Sequence, residues 1–239
     1  FSSSYSSLNI DKLIYVLAIG IDKGANNTLE VTFQFSNPLS VEASSSEKAE
    51  TMTNTVTATS ISDAINSINS FQERQLNLSH CKIVIFSEEL ASQGISDEIY
   101  TLINDTQIRP SSNIVVCKSK AKDYIEQTRP EVENLISKYY ETLANSSKYT
   151  GRTPNATLGN FFNALICKFC EPYAILGSIN GENSAIQGSN KVQNLGVAVF
   201  KNDTLVGELN SNDTISFLNM KNSVNRFLIS IPDPLNNNE

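Results

Sequence analysis

Apolar residues at the start of the chain follow two spacings, and each predicts a β-strand. From Leu13 to Ile21 the residues are apolar without strict alternation, which is typical of a strand buried on both faces. From Leu29 to Phe35 apolar and polar residues alternate, which predicts a half-buried strand. Turn-forming residues at 22–27 separate the two segments, so we expect an antiparallel hairpin. Residues 44–54 have no apolar periodicity, and we expect them to form a loop.

Helical spacing begins after this loop and alternates with short apolar runs. Ser60 begins a capping-box pattern, and the apolar residues that follow are three and four positions apart, which predicts an amphipathic helix. Short strands are expected at 82–86 and 113–117, with a helix capped by Ser96 between them and a helix capped by Ser119 after them. Strands and helices in this order predict a mixed sheet with helices packed on it.

The pattern changes after residue 128 and predicts a second unit of similar class. Its expected elements are a helix from Glu131, a helix capped by Thr157 that ends by Pro172, a strand at 173–179, a loop at 180–191, a hairpin at 196–209 and a helix at 214–220. The predicted fold class is α+β, with two mixed α/β domains that each consist of a β-sheet packed with helices. The expected divisions are a flexible tether at 1–7, a first domain at 8–128, a second domain at 129–222 and the beginning of a third domain at 223–239.

Composition and charge exclude several classes of partner. The 239 residues are 40% hydrophobic and 18% charged, which is ordinary for a globular protein. Lysine and arginine number 18 against 25 acidic residues, and the net charge of −7 disfavours nucleic-acid binding and direct adsorption to an anionic membrane. The longest apolar run is far shorter than the roughly 20 residues that cross a bilayer.

Four cysteines and one histidine are the candidates for thiol or metal chemistry. Cys81 and Cys117 lie beside apolar runs and are expected to be buried thiols. Cys167 and Cys170 fall at the end of a predicted helix, where the helix dipole opposes thiolate formation, so a redox site is disfavoured. A zinc site would need His80 and Cys81 as its second pair, and adjacent strand residues point to opposite faces. We therefore expect all four cysteines to be core residues, with no metal or cofactor site.

Other catalytic patterns are weak or missing in the sequence. His80 precedes a strand and is expected to be an ordinary hydrogen-bonding residue, because no Gly-x-Ser-x-Gly turn presents a serine nucleophile. Glu88 and Glu89 could be paired carboxylates, but they are more typical of a solvated helix start. With no glycine-rich phosphate loop either, we predict no catalytic residues and favour a binding or assembly protein over an enzyme.

Five segments of the chain carry a resemblance to a known family: they run from Leu17 to Asp22, from His80 to Ile95, from Arg109 to Ala121, from Thr157 to Leu165 and from Gly196 to Gly207. In this order they resemble the C-subunit of bacterial spore-germinant receptors, a family of membrane-anchored lipoproteins. Each segment alone is a weak match, whereas five of them at suitable spacing are fairly specific. Six positions of the family pattern are matched, and structural roles are expected for them: His80, Glu88, Arg109, Thr157, Leu158 and Gly207.

The resemblance implies a non-enzymatic receptor subunit that is required for spore germination. Such a subunit is lipid-anchored on the extracytoplasmic side of the spore inner membrane and docks on two integral-membrane partners, the A- and B-type subunits, which sense small nutrients. It implies a lipid-bearing cysteine ahead of the tether at 1–7. It also implies that only the first strand of the family's third domain, at about 226–231, is in the chain.

Two alternatives to the receptor subunit remain open from the residues alone. A freestanding extracytoplasmic module that binds a solute or glycan would need a deep pocket with aromatic and polar lining. Eight tyrosines and no tryptophan make a sugar-stacking surface less favoured. A thiol-based enzyme or zinc protein is the other alternative, and thiol counting and metal analysis would test it.

Overall fold

The chain folds around one mixed β-sheet with helices on both faces. The computed structural model describes residues 13–36, 51–71, 74–129, 136–179 and 192–221. The strands of this part of the chain are β1 (Leu13–Lys23), β2 (Leu29–Ser36), β3 (Thr51–Ala58), β4 (Gln75–Asn77), β5 (Ile83–Ser87), β6 (Asn113–Cys117), β7 (Tyr173–Ile179), β8 (Val192–Lys201) and β9 (Thr204–Leu209).

The centre of the sheet is parallel and its two sides are antiparallel. The strand order is β3-β2-β1-β5-β6-β7-β8-β9, and the short β4 pairs with the beginning of β1. Strands β1, β5, β6 and β7 run parallel to one another, whereas β2 and β3 on one side and β8 and β9 on the other side are antiparallel additions. The predicted β1–β2 and β8–β9 hairpins are confirmed.

Helices cover the two faces of the sheet unequally. They are α1 (Ile61–Phe71), α2 (Glu88–Ala91), α3 (Ser96–Asn104), α4 (Ala121–Gln127), α5 (Ile136–Thr150), α6 (Leu158–Ile166) and α7 (Ser211–Met220). Apolar side chains of α1, α2, α3 and α6 join one core layer, and those of α4 and α5 join the layer on the opposite face. Helix α7 packs beside β8 and β9.

The central strands contribute side chains to both core layers. In β5, Val84 and Phe86 face the first layer, and Ile83 and Ile85 face the second. All four are fully buried, because helices cover both faces of a parallel sheet. This is the physical reason for the uninterrupted apolar runs in the sequence, and it confirms the α+β class with helices packed on a mixed sheet.

The strands on either side of the predicted domain boundary at residue 128 belong to the same sheet. Val115 of β6 is the register partner of Ile175 of β7, so the sheet passes directly from the first predicted domain into the second. The division into two domains stays a prediction. The tether at 1–7, the loop at 180–191 and the strand at 226–231 lie outside the described residues.

Several local expectations were wrong, and tertiary contacts explain them. Residues 51–54 belong to β3 instead of a loop, because β2 offers them a partner strand along its whole length; residues 44–50 lie outside the described part. Helices α3 and α4 begin without a cap from Ser96 or Ser119. The helical spacing of apolar residues after Ser60 runs to Phe71, which is nevertheless 86% exposed at the end of α1.

Each helix among the described residues is too short or too polar to span a lipid bilayer.

Candidate functional site

The carboxyl ends of three adjacent parallel strands, β1, β5 and β6, form the candidate site. The chain leaves β5 into α2 on one face of the sheet and leaves β6 toward α4 on the other face. In open α/β sheets, ligands bind in the crevice at such a switch in direction. Here the crevice is a cleft of about 180 Å³, lined by Asp22, Lys23, Ser87, Glu89, Lys118, Ser119 and Lys120. We call it the strand-end cleft.

Asp22 belongs to the buried part of the strand-end cleft and holds the beginning of α4. It is the last but one residue of β1 and is 2% exposed. One carboxylate oxygen, Oδ1, accepts a hydrogen bond from the Ala121 amide at 2.7 Å, and Oδ2 accepts one from the Lys122 amide at 3.1 Å. These are amides that a helix start leaves without a partner inside the helix. The carboxylate of Asp22 therefore takes the place of the cap that Ser119 was expected to provide.

The environment of Asp22 affects its ionisation in opposite directions. Burial raises the pKa of the carboxyl group above 3.8, because the charged form loses hydration. The Ala121 and Lys122 amides lower the pKa in part, and the Ser87 hydroxyl adds a smaller lowering effect. Burial has the larger effect, so the net change in the pKa of Asp22 is upward.

Three lysine–glutamate pairs surround the opening of the strand-end cleft. The distances between their charged atoms are 3.6 Å for Lys23–Glu89, 2.6 Å for Lys118–Glu208 and 3.3 Å for Lys120–Glu30. The hydrogen bond to its glutamate raises the pKa of each of two lysines, Lys118 and Lys120. The pairs are partly exposed, and such pairs add little stability.

The polar groups of the cleft are largely engaged with the protein itself. The Ser87 hydroxyl accepts a hydrogen bond from the Leu90 amide and so caps α2. His80 lies before β5, at the opposite end of that strand from Ser87. Among the described residues no three His, Cys, Asp or Glu side chains lie close enough to hold a metal ion. The arrangement is suited to binding a small polar group, and its volume is below that of sites for drug-sized ligands.

Three of the six family-pattern positions meet at the opposite, amino edge of the parallel strands. The Leu158 amide donates to the Ser112 carbonyl at 2.8 Å, and the Ser112 amide donates to the Arg109 carbonyl at 3.0 Å. The Thr157 hydroxyl caps α6 by accepting from the Asn160 amide at 3.2 Å, as predicted. Arg109, Thr157 and Leu158 therefore join the beginning of α6 to the turn before β6.

The other three family-pattern positions take no part in these hydrogen bonds. His80 is exposed, and the centre of its ring lies 4.5 Å from that of the Tyr15 ring. Loss of hydration lowers the pKa of His80, and the positive charges of Lys82 and Arg109 lower it further. Glu88 begins α2 beside the strand-end cleft. Gly207 is exposed in β9.

The cysteines divide into two classes, one expected and one not. Cys81 and Cys117 are buried thiols, which confirms the prediction for this pair. Cys167 and Cys170 were expected in the core, which is wrong: they form a disulfide with each other. They lie outside the core because α6 ends at Ile166 and the turn after it is at the surface.

An apolar surface that sequence reasoning missed lies at the end of α6. Tyr100 of α3 packs edge-on against Phe162 at 5.4 Å between ring centroids, and Ile166 lies one turn further along α6. Ile166 and Phe169 are 57% and 90% exposed. We call these four residues the α6 patch. The sequence predicted a helix that ends by Pro172 and contains both residues, whereas α6 ends at Ile166. Their position at and beyond the helix end is the signal that could have indicated exposure.

The model of the family described as spore germination protein N-terminal domain matches residues 6–176, which is more than half of the chain. The chain belongs to this family. The resemblance found in the sequence is thereby confirmed, and a role in germination follows from it.

Two curated relatives from Bacillus subtilis (strain 168) agree with the family. The chain is 24% identical to the candidate spore germination protein YfkR over 179 residues, which are 74% of this chain and 45% of the relative. It is 25% identical to spore germination protein A3 over 198 residues, which are 81% of this chain and 52% of the relative. The chain thus spans about half the length of these relatives. No solved structure matches the chain significantly.

The region matched by the germination family contains both ends of the parallel strands. It includes Asp22 and Gly20 at one end and Arg109 and Leu158 at the other. The sequence drew attention to the segment that contains Gly20 and Asp22, yet their common role was missed. Both residues contact the beginning of α4. Asp22 accepts hydrogen bonds from its first amides, and a Cβ on Gly20 would come within 3.2 Å of the Ala121 Cβ.

Proposed function

We propose that this germination protein is a non-enzymatic subunit of a nutrient germinant receptor complex. In this proposal it is lipid-anchored on the extracytoplasmic side of the spore inner membrane and docks on integral-membrane A- and B-type subunits. The observation that carries the proposal is the family match over residues 6–176, together with relatives that are named for spore germination.

A docking role is supported by the α6 patch. Phe169 and Ile166 expose large apolar side chains within a few residues of each other. Apolar patches on a protein surface mark sites of interaction more often than scattered single residues do. The α6 patch is therefore the surface that we assign to a membrane-protein partner.

An extracytoplasmic location is supported by the Cys167–Cys170 disulfide. Disulfides persist in oxidising compartments and are rare in the cytosol. Both cysteines lie at the surface, where the bond is open to cellular reductants.

A non-enzymatic role is supported by the engagement of the polar groups in the strand-end cleft. Asp22 accepts two backbone hydrogen bonds, and Lys118 and Lys120 each pair with a glutamate. The Asp22 bonds hold the beginning of α4, and the two lysines are engaged with glutamates, so these groups interact within the protein itself.

Genetic replacement in a spore-forming bacterium that carries this gene tests the receptor role. Deletion is expected to abolish or strongly slow germination with the nutrients of that receptor, and the wild-type gene is expected to restore it. Ile166→Asp with Phe169→Asp should fail to restore germination at normal protein level, because the charges disrupt an apolar contact. Val206→Asp, at an apolar residue that is 60% exposed in β9, is the matched control and should restore it. Unchanged germination after deletion would contradict the receptor role.

The strand-end cleft favours one alternative, a freestanding solute-binding module. A cleft at the carboxyl ends of parallel strands is the usual ligand site in open sheets. Titration calorimetry of the chain with a panel of small nutrients distinguishes the two functions. Two results together would favour the solute-binding module over the receptor subunit. The chain would bind a nutrient saturably and lose this binding in Lys118→Gln, and the deletion strain would germinate normally.

A further inference from the structure

In the described part of the chain, the two outer strands of the sheet differ in how they are protected from pairing with other chains. Strand β9 has six residues, includes the charged Glu208, and its pairing with β8 shifts in register between Val199 and Phe200. Strand β3 has eight residues and pairs with β2 in unbroken register from Thr51 to Ala58. It contains no charge, proline or glycine. Charges, prolines and bulges are the features that prevent edge strands from associating, and β3 lacks them.

The sequence of β3 is nearly the same in both directions. Residues 51–57 read Thr-Met-Thr-Asn-Thr-Val-Thr, with Asn54 at the centre. In an antiparallel pair of two such strands centred on Asn54, Thr51 lies opposite Thr57, and Thr53 lies opposite Thr55. Met52 lies opposite Val56. Every cross-strand pair therefore joins residues of the same kind.

We propose that β3 pairs with β3 of a second copy of this chain, so that the two sheets join across a two-fold axis at Asn54. The outer backbone groups of each β3 then hydrogen-bond to the other copy. Among the described residues, β2 is the only strand beside β3. The sheet in the dimer runs continuously from one copy into the other.

The side-chain chemistry of β3 fits this pairing on both faces of the joined sheet. Threonine pairs across strands are favourable, and β3 already makes one inside the chain, where Thr55 and Thr32 hydroxyls lie 2.9 Å apart. On the other face, Val56 packs against the core layer that contains α1, and Met52 is 49% exposed. The dimer places Met52 of one copy beside Val56 of the other and covers apolar surface.

The absence of charge in β3 favours a second copy of the chain as its pairing partner, in preference to an unrelated extended peptide. At a two-fold axis the central residue of each strand faces its own counterpart, so a charge there would repel itself. The whole chain carries a net charge of −7, yet the residues nearest to this axis are neutral. The remaining acidic groups of two copies repel each other, and added salt should strengthen the dimer by screening them.

Analytical ultracentrifugation of the whole chain tests the dimer. We expect a reversible monomer–dimer equilibrium. Asn54→Lys and Asn54→Asp place like charges opposite each other, and each should weaken dimerisation about tenfold or more. Mixing the two variants should restore dimers, because the introduced lysine of one copy then faces the introduced aspartate of the other. Val206→Lys, on the opposite edge strand β9, is the matched control and should leave dimerisation unchanged.

Three results would overturn the proposal. The first is a chain that stays monomeric up to its solubility limit. The second is a dimer that Asn54→Lys and Asn54→Asp leave as stable as the wild type, since it must then use another surface. The third is two weakened variants that fail to associate when mixed, while circular dichroism shows that both are folded. The oligomeric state is separate from germination, so these outcomes leave the receptor role to its own test.

Discussion

The carboxylate of Asp22, at the end of β1, accepts a hydrogen bond from the backbone amide of Ala121 at 2.7 Å across 99 positions of sequence. It also accepts one from the Lys122 amide, so the first strand of the sheet holds the beginning of α4. Since α4 follows β6, this contact links β1 and the chain after β6 at the strand-end cleft. The stability of the cleft should therefore depend on Asp22.

Removal of the Asp22 carboxylate should destabilise the protein. In Asp22→Ala two amides at the start of α4 lose their acceptor, and we expect a loss of about 1–3 kcal/mol in the free energy of unfolding. Urea denaturation monitored by circular dichroism measures it. Asp123→Ala, at an exposed carboxylate in the first turn of the same helix, should change the free energy by about 0.5 kcal/mol or less. Equal effects of the two substitutions would show that Asp22 does not hold α4.

The stability difference between the wild type and Asp22→Asn should depend on pH. Burial raises the pKa of Asp22 in the folded protein above 3.8, so the unfolded chain releases this proton more readily. The stabilisation that comes from this shift is fully present below pH 3.8 and is lost as the pH rises through the raised folded pKa. We therefore expect the wild type to gain stability relative to Asp22→Asn as the pH falls from neutrality through this window.

Denaturation of both proteins at a series of pH values measures this difference. The same comparison with Asp123→Asn, at an exposed position, is the control. A wild type that loses stability relative to Asp22→Asn on acidification would mean that hydrogen bonding, and not burial, dominates the pKa of Asp22.

A side chain at Gly20 should disturb the packing of α4 on β1. A Cβ there would lie 2.9 Å from Cδ1 of Ile125 and 3.2 Å from the Ala121 Cβ. We expect Gly20→Ala to cost about 1–3 kcal/mol through overpacking. Gly207→Ala is the matched control, because no atom lies within 4 Å of the added Cβ, and its effect should be about 0.5 kcal/mol or less.

Ile125→Val removes the Cδ1 atom that the new Cβ of Gly20→Ala would meet. The double variant should therefore be more stable than the sum of the two single effects predicts, by thermal or urea denaturation. Strict additivity would show that the two positions do not touch.

Thiol labelling should separate the four cysteines into two pairs. Burial raises the pKa of the Cys81 and Cys117 thiols to about 12, which suppresses the reactive thiolate. The native oxidised protein should label slowly, and gentle reduction should expose two fast thiols, Cys167 and Cys170. Mass spectrometry after labelling in urea with reductant should count four. Fast labelling of the native protein before reduction would contradict the disulfide.

The sequence predicted best those features whose cause is local. The apolar run of β1 and the alternation of β2 each predicted a strand that forms, but β2 was expected to be half-buried, and its polar Thr32 and Gln34 are buried too. Thr157 caps α6 because its side chain needs to reach only three residues along the chain. Four of the five short matches lie within residues 6–176, the region that the family model matches, and in order they sufficed to identify the family.

The expectations that failed depended on partners far away in sequence. Residues 51–54 lack apolar periodicity, and they form a strand because β2 pairs with them. Ser119 was the nearest candidate to cap α4, but Asp22 supplies the acceptor from the other end of the predicted first domain. Helical spacing continued through Phe169, although α6 ends at Ile166 and leaves Phe169 at the surface.

By itself, the sequence determined the class of fold, the principal strands and helices and the germination family, because hydrophobic periodicity and capping act between neighbouring residues. Only the tertiary structure decided that one sheet extends across residue 128 and that β3 lies at the edge of the described sheet. It also showed that Asp22 and Gly20 both contact the beginning of α4. The reason is physical. Hydrogen-bond partners and close packing are set by distances in space, which the order of residues does not contain.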